Sequence, residues 1–191
     1  MDTKNLSIAR QQFAQCVFTH KVQESAVEKN NVYFIWVKII NIILVSLTLI
    51  FLVLQAFNQK NLAYSYIATG ITIIEIIFLI VQLNFNFDKK MSKHKDSALK
   101  YMALRDRYKN FIVDIVNSNL SDREIRDKRD VLQSEYQIIS DTAPETNSED
   151  YGKAQEKLFG KKKNGEEFTW SEDEIDHFLP DTLKLINLKE G

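Results

Sequence analysis

The stretch IINIILVSLTLIFLVLQAF-NQKN-LAYSYIATGITIIEIIFLIVQL, residues 39–83, decides the fold. It holds two apolar runs, Ile39–Phe57 and Leu62–Leu83, separated by Asn58, Gln59, Lys60 and Asn61. Lys60 and Glu75 are the only charged residues from Ile39 to Phe87. As a helix the first run spans roughly 28 Å at ~1.5 Å per residue, close to the ~30 Å hydrocarbon core of a bilayer. The second is a little longer and can span with some tilt. So short a polar connection sets the two helices antiparallel and adjacent. The bland alternative is a buried helical pair in a soluble core. Two consecutive runs of this length and purity weigh against it in a 191-residue chain. The expectation is an all-α membrane protein built on a two-helix transmembrane hairpin.

Outward from the hairpin, Lys21, Lys29 and Lys38 precede the first run, and Lys89, Lys90, Lys93, Lys95 and Lys100 follow the second. The turn has Lys60 alone. Basic residues collect on the cytoplasmic side, so both termini are expected there, at the inner membrane, with the turn outside. Tyr33 and Trp36 at one end, and Tyr64 and Tyr66 at the other, suit the water–lipid boundary. The start of the chain lacks the layout of a signal peptide, so insertion is expected to use the hairpin itself.

Mean hydropathy is slightly negative for the whole chain, because the flanks are strongly charged. Net charge is +2 over 1–38, zero over 39–87, +3 over 88–139 and −6 over 140–191. A basic membrane-proximal zone and an acidic tail result. Neither is strong enough to suggest a nucleic-acid partner. The organisation expected is an N-terminal amphipathic helix (1–38), the hairpin (39–87), a helical stalk (88–140) and an acidic helical tail (141–191). Cys16 is the single cysteine and can make no internal disulfide.

The spans carry a polar seam. Asn41, Thr48 and Gln55 recur every seven residues on the first. A heptad drifts only ~20° around a helix, so they share a face. Ser65, Thr72, Glu75 and Gln82, with Ala68 and Leu79 between, make a stripe on the second. A carboxylate at mid-membrane costs several kcal/mol. Glu75 must therefore face a protein interface or a wet cavity, or be protonated there. One hairpin is too small to enclose a water path; several copies presenting these stripes inward could. The seam is then either a pore lining or polar glue between helices.

Outside the membrane, Leu6, Ala9, Phe13, Cys16, Val17 and His20 form the apolar face of a helix over 5–30. His20 reads as a packed or half-exposed residue rather than a ligand. Asn30-Asn31 is a joint or a continuation. Tyr101, Leu104, Tyr108, Phe111, Ile112 and Ile115 form a second stripe, on a helix expected to prolong the second span. Phe13 and Val17 are expected to pack against Tyr101, Leu104, Tyr108 and Phe111 in a coiled-coil-like stalk. Asn117-Ser-Asn-Leu ends that helix, and Ser121 with Glu124 is a capping box opening the next. A short helix over 148–159 follows, then a turn holding Lys161, Lys162 and Lys163. Ser171 with Glu174 repeats the capping pattern. The acidic 172–176 run reads as a solvated helix start or as a partner-docking tail.

No Gly-rich phosphate loop, nucleophile elbow, HExxH or Cys cluster is present, and His20, His94 and His177 lie in unrelated segments. No catalytic constellation and no cofactor are implied.

The layout, with YMALRDRYKNFIVDI (101–115), YQIISDTAP (136–144) through Tyr151, and IDHFLP (175–180), resembles the SLATT domain family of bacteria. The resemblance covers nearly the whole chain but has no invariant chemical motif. It implies a membrane effector of anti-phage and conflict systems, found beside enzymes that make cyclic oligonucleotides or beside nucleotide-sensing domains. The action it implies is pore formation by a homo-oligomer that depolarises the membrane. A cyclic nucleotide or a nucleotide-sensing partner protein would be the signal. It carries over no catalytic or sensor residue. The rival expectation is a passive anchored scaffold that recruits a soluble partner.

Overall fold

The computed structural model describes residues 3–160 and 169–189, with backbone alone at Phe85 and Lys189. Lys161, Lys162 and Lys163 lie outside the described residues. Every regular element among the described residues is helical.

Helix α1 runs unbroken from Thr3 to Phe57. No Gly or Pro occurs before Gly70, so nothing along it removes a hydrogen bond or loosens the backbone. Asn30 and Asn31 simply continue it. Asn58 and Asn61 form the turn, where Asn61 N–H donates to the Asn58 carbonyl at 3.1 Å and Asn61 Oδ1 accepts from Ala63 N–H at 3.1 Å.

Helix α2 spans Ala63–Phe85 and α3 spans Phe87–Val116. The expectation that the helix carrying the 101–115 stripe prolongs the second span is corrected here. Asn86 adopts a left-handed conformation (φ 41°) and closes α2, its N–H donating to the Gln82 carbonyl at 3.4 Å. Asparagine tolerates this region better than other non-glycine residues, so the sequence can break there.

Helix α4 (Asp122–Thr142) opens with the capping box expected at Ser121 and Glu124. Ser121 N–H donates to Glu124 Oε2 at 2.8 Å, and Glu124 N–H to Ser121 Oγ at 3.4 Å. Ser121→Ala is expected to cost ~1 kcal/mol, read as a lower urea midpoint. Helix α5 (Ser148–Phe159) has the same device from Asn147 and Asp150 and ends at Gly160. Helix α6 (Glu172–Asp176) uses the box of Ser171 and Glu174. A 3₁₀ turn (Asp181–Leu183) after Pro180 and a last short helix, α7 (Leu185–Lys189), complete the described chain.

The chain divides into two units, and α1 and α3 contribute to both. The first, here the hairpin unit, is Glu28–Met91. In the most apolar eighteen-residue stretch of α1 no residue is buried, and in that of α2 only 6 % are. Ile42, Ile43, Leu49, Ile73, Ile74, Ile77 and Ile80 are all exposed. A soluble protein rarely exposes so continuous an apolar surface. The pair is therefore not buried in a core of this chain; it is two exposed helices long and apolar enough to cross a membrane. Two spans joined as a hairpin are what a bilayer requires, since each helix satisfies its own backbone.

The second, the core unit, comprises 1–27 with 92–191. One apolar core joins Leu6, Ala9, Phe13 and Cys16 of α1 to Tyr101, Leu104, Tyr108, Phe111, Ile112 and Ile115 of α3. Ile125, Leu132 and Ile139 of α4 enter the same core. So do Ile175, Leu179 and Leu183 from the acidic tail. Each Leu, Ile and Phe among them contributes ~1.5–3 kcal/mol on burial. A smaller cluster of Phe18, Val22 and Ala154 packs with Tyr151, Leu158 and Trp170. Exposed ion pairs such as Lys128–Asp114 at 2.6 Å link α3 and α4 and add little, since water screens them.

Candidate functional site

Within the hairpin unit, the covered face of α1 is Phe34, Val37, Asn41, Leu44, Thr48, Phe51 and Gln55. Steps of three and four alternate without exception, the spacing of helices that pack along their length at a shallow angle. On α2 the covered positions include Ser65, Ala68, Ile71, Thr72, Glu75, Phe78 and Gln82. All seven seam residues, Asn41, Thr48, Gln55, Ser65, Thr72, Glu75 and Gln82, therefore lie partly covered rather than open to lipid.

Two contacts set the pairing. Gln55 Oε1 accepts from Ser65 N–H at 3.1 Å near the turn. At the other end the rings of Tyr33 and Phe87 lie 6.2 Å apart. Both contacts obey one register, which sets Thr48 level with Thr72 and Val37 level with Leu83. Val37 and Leu83 indeed line one small pocket with Phe34, Gln82 and Asn86.

The seam's polar groups are unevenly satisfied. Thr72 Oγ1 donates to the Ala68 carbonyl of its own helix at 2.9 Å, a common use of a hydroxyl in an apolar helix. Asn41 Oδ1, Thr48 Oγ1 and Gln82 Oε1 are buried without any hydrogen-bond partner. Glu75, near the middle of α2, makes no hydrogen bond or ion pair with another described residue. In hydrocarbon each unsatisfied group costs several kcal/mol, and a charge roughly 3 kcal/mol by insertion scales. Chemically, the face offers oxygen acceptors and one carboxyl group in a column.

In the core unit, Phe13, Tyr101, Leu104, Tyr108 and Phe111 are buried in one cluster, with Val17 packed against it. Tyr101 and Ser140 hydroxyls meet at 3.0 Å, while the buried Tyr108 hydroxyl has no partner. Burial raises the pKa of both phenols above the ordinary range and keeps them neutral. Cys16 is fully buried, and burial pushes its thiol up to about 12 against a smaller lowering by Arg105. It is an inert core residue. His20 is half-buried, its Nδ1 2.8 Å from the Ala98 carbonyl and its Nε2 3.4 Å from Glu24, as a packed histidine should be.

Sequence reasoning missed Arg10. Its side chain is 0 % exposed. It donates to the Leu183 carbonyl at 3.1 Å, to Glu172 at 3.1 Å and to Asp176. Asp176 also accepts Leu185 N–H at 3.1 Å. The signal was its place on the α1 stripe, four residues after Leu6 and three before Phe13. The acidic 172–176 run is thus neither fully solvated nor a free arm: two of its carboxylates hold a buried cation.

An open cleft of about 680 Å³ lies on the core unit. Phe18, Tyr151 and Trp170 form its walls, and Gln15, Thr19, Thr146, Asn147 and Ser148 its polar rim. None of these lining residues is cationic. Among the described residues no group of His, Cys, Asp and Glu could hold a metal ion.

No curated protein and no solved structure matches the chain. A protein-family model does, over residues 6–174, which takes in the hairpin and all but the two ends of the core unit. With two lipid-facing spans and a match across most of its length, the chain belongs to the SMODS and SLOG-associating 2TM effector domain family 4.

Proposed function

We propose that this membrane protein is an effector of a bacterial anti-phage or conflict system that assembles into a homo-oligomer and permeabilises the inner membrane. The observation that carries the reading is the polar column on the covered faces of the hairpin, with Glu75 at mid-span and three unpartnered oxygens beside it. A mere anchor gains nothing from three unpartnered acceptors and an unpartnered carboxyl group in lipid, each of which costs free energy. Residues this costly inside a membrane are by default functional. The lysine distribution supports termini on the cytoplasmic side. The signal is a cytoplasmic one, a cyclic nucleotide or a nucleotide-sensing partner protein. Helices α1 and α3, which supply residues to both units, are the route by which a change in the core unit would reach the seam. The action needs no catalysis by this chain.

The test is ion leakage from liposomes that hold the purified protein, wild type beside Glu75→Leu. Wild type is expected to leak, and the substitution to abolish the leak or change its ion preference. Equal leakage from both would remove Glu75 from the path. Retention of ions by wild type, in liposomes and during expression in cells, would favour a passive anchored scaffold.

A further inference from the structure

The polar groups of the hairpin divide into two sets. Those on the outside are self-satisfied: Ser46 donates to the Ile42 carbonyl at 2.7 Å, Thr69 to Ser65 at 2.9 Å and Asn84 to Ile80 at 2.9 Å. Those without partners, Asn41 Oδ1, Thr48 Oγ1 and Gln82 Oε1, are buried on the covered faces. Glu75 shares that face. The outward surface is otherwise a sheath of Ile, Leu and Val.

This geometry bears on any water path. Intact hairpins that associate side by side meet through their apolar sheaths, and the gap between them is lined with Ile and Leu. The polar groups that reach it, Ser46, Thr69 and Asn84, spend their donors on carbonyls of their own helices. We infer that the hairpin as it stands is the closed form, in which each span masks the seam of the other. Conduction requires the α1 and α2 spans to part or turn, so that both seams face a channel shared with other copies of this chain. The inference rests on the pore reading and adds how that pore is kept shut.

The energetics favour such a switch. In the closed form the buried acceptors lack donors, which is unfavourable. In the open form water and neighbouring copies satisfy them, while interhelical packing is lost. Opposing terms of this kind leave two arrangements close enough for a signal to select between them. Replacing the masked oxygens with carbon should deepen the closed state.

A covalent lock tests the idea. Val37→Cys with Leu83→Cys joins level positions at the pocket end of the hairpin, and Leu54→Cys with Tyr66→Cys joins level, exposed positions near the turn. None of these four belongs to the seam. A short bismaleimide bridges each pair, and the buried, poorly ionised Cys16 does not compete. Unbridged double variants, and single variants treated with reagent, are expected to leak as wild type does. The bridged proteins are expected to fall to the rate of protein-free liposomes. If bridged and unbridged proteins leak alike, the hairpin conducts without opening: this inference is overturned and the pore reading stands. If the wild type and all variants retain ions, and expression leaves the membrane potential of cells unchanged, both are overturned. Should one pair fail to insert, the other carries the same test.

Discussion

Asp176→Ala is expected to destabilise the core unit by ~3–5 kcal/mol, far more than its place in a five-residue helix suggests. The Arg10 guanidinium is wholly buried and has three acceptors: Asp176, Glu172 and the Leu183 carbonyl. Glu172 is 47 % exposed and shares its charge with water, whereas Asp176 is only 17 % exposed. Removing Asp176 leaves a desolvated cation with its weaker partner, and it also frees Leu185 N–H. Breaking a buried pair from one side is costly because the remaining charge is uncompensated. Glu172→Gln should therefore cost much less. Replacing both members, as Arg10→Met with Asp176→Leu, should recover most of the loss, since no charge is then stranded. Urea unfolding of the full chain in detergent, followed by Trp170 fluorescence in a Trp36→Phe background, measures each effect. A loss below ~1 kcal/mol for Asp176→Ala would mean that water reaches Arg10, as at an exposed pair.

Ending the chain after Trp170 is expected to do still more damage. It removes Ile175, Leu179 and Leu183, which are 3 %, 4 % and 7 % exposed. Each is worth ~1.5–3 kcal/mol by burial alone. All of Arg10's acceptors leave with them. Together these losses rival the whole stability of an ordinary domain, ~5–15 kcal/mol. The segment 3–27 should lose its packing and become open to protease in the purified protein, while the hairpin, held by lipid, stays inserted. A truncated protein with native protease resistance would make the tail an appendage free to bind a partner. The family match ends at residue 174, just before these three side chains, so the closing part of the core lies beyond it.

These effects bear on function through α1. The helix that carries Arg10 and Phe13 in the core unit also carries Asn41 and Thr48 in the hairpin unit. A loosened core unit in the Asp176 variant should therefore alter leakage if the proposed coupling holds, and leave it unchanged if the hairpin acts alone.

What the sequence determined by itself is whatever depends on local chemistry or on one-dimensional period. Length and apolarity of 39–57 and 62–83 specify two spans, because a bilayer sets the required length. Ser121/Glu124 and Ser171/Glu174 announce helix starts, because a capping box is completed within four residues. The stripes on α1 and α3 announce buried faces, because helical periodicity is intrinsic to the backbone. Tertiary structure decided what those faces meet. A heptad of Asn41, Thr48 and Gln55 defines a side of a helix but not its occupant; the hairpin register aims it at Ser65, Thr72, Glu75 and Gln82. The break at Asn86 also stayed hidden, because asparagine is compatible with both a helix and a left-handed cap, and packing chooses between them. The pairing of Arg10 with Asp176 joins residues 166 positions apart. No local rule reaches that far: only the folded core brings a stranded cation on one apolar stripe to the carboxylates that make its burial tolerable.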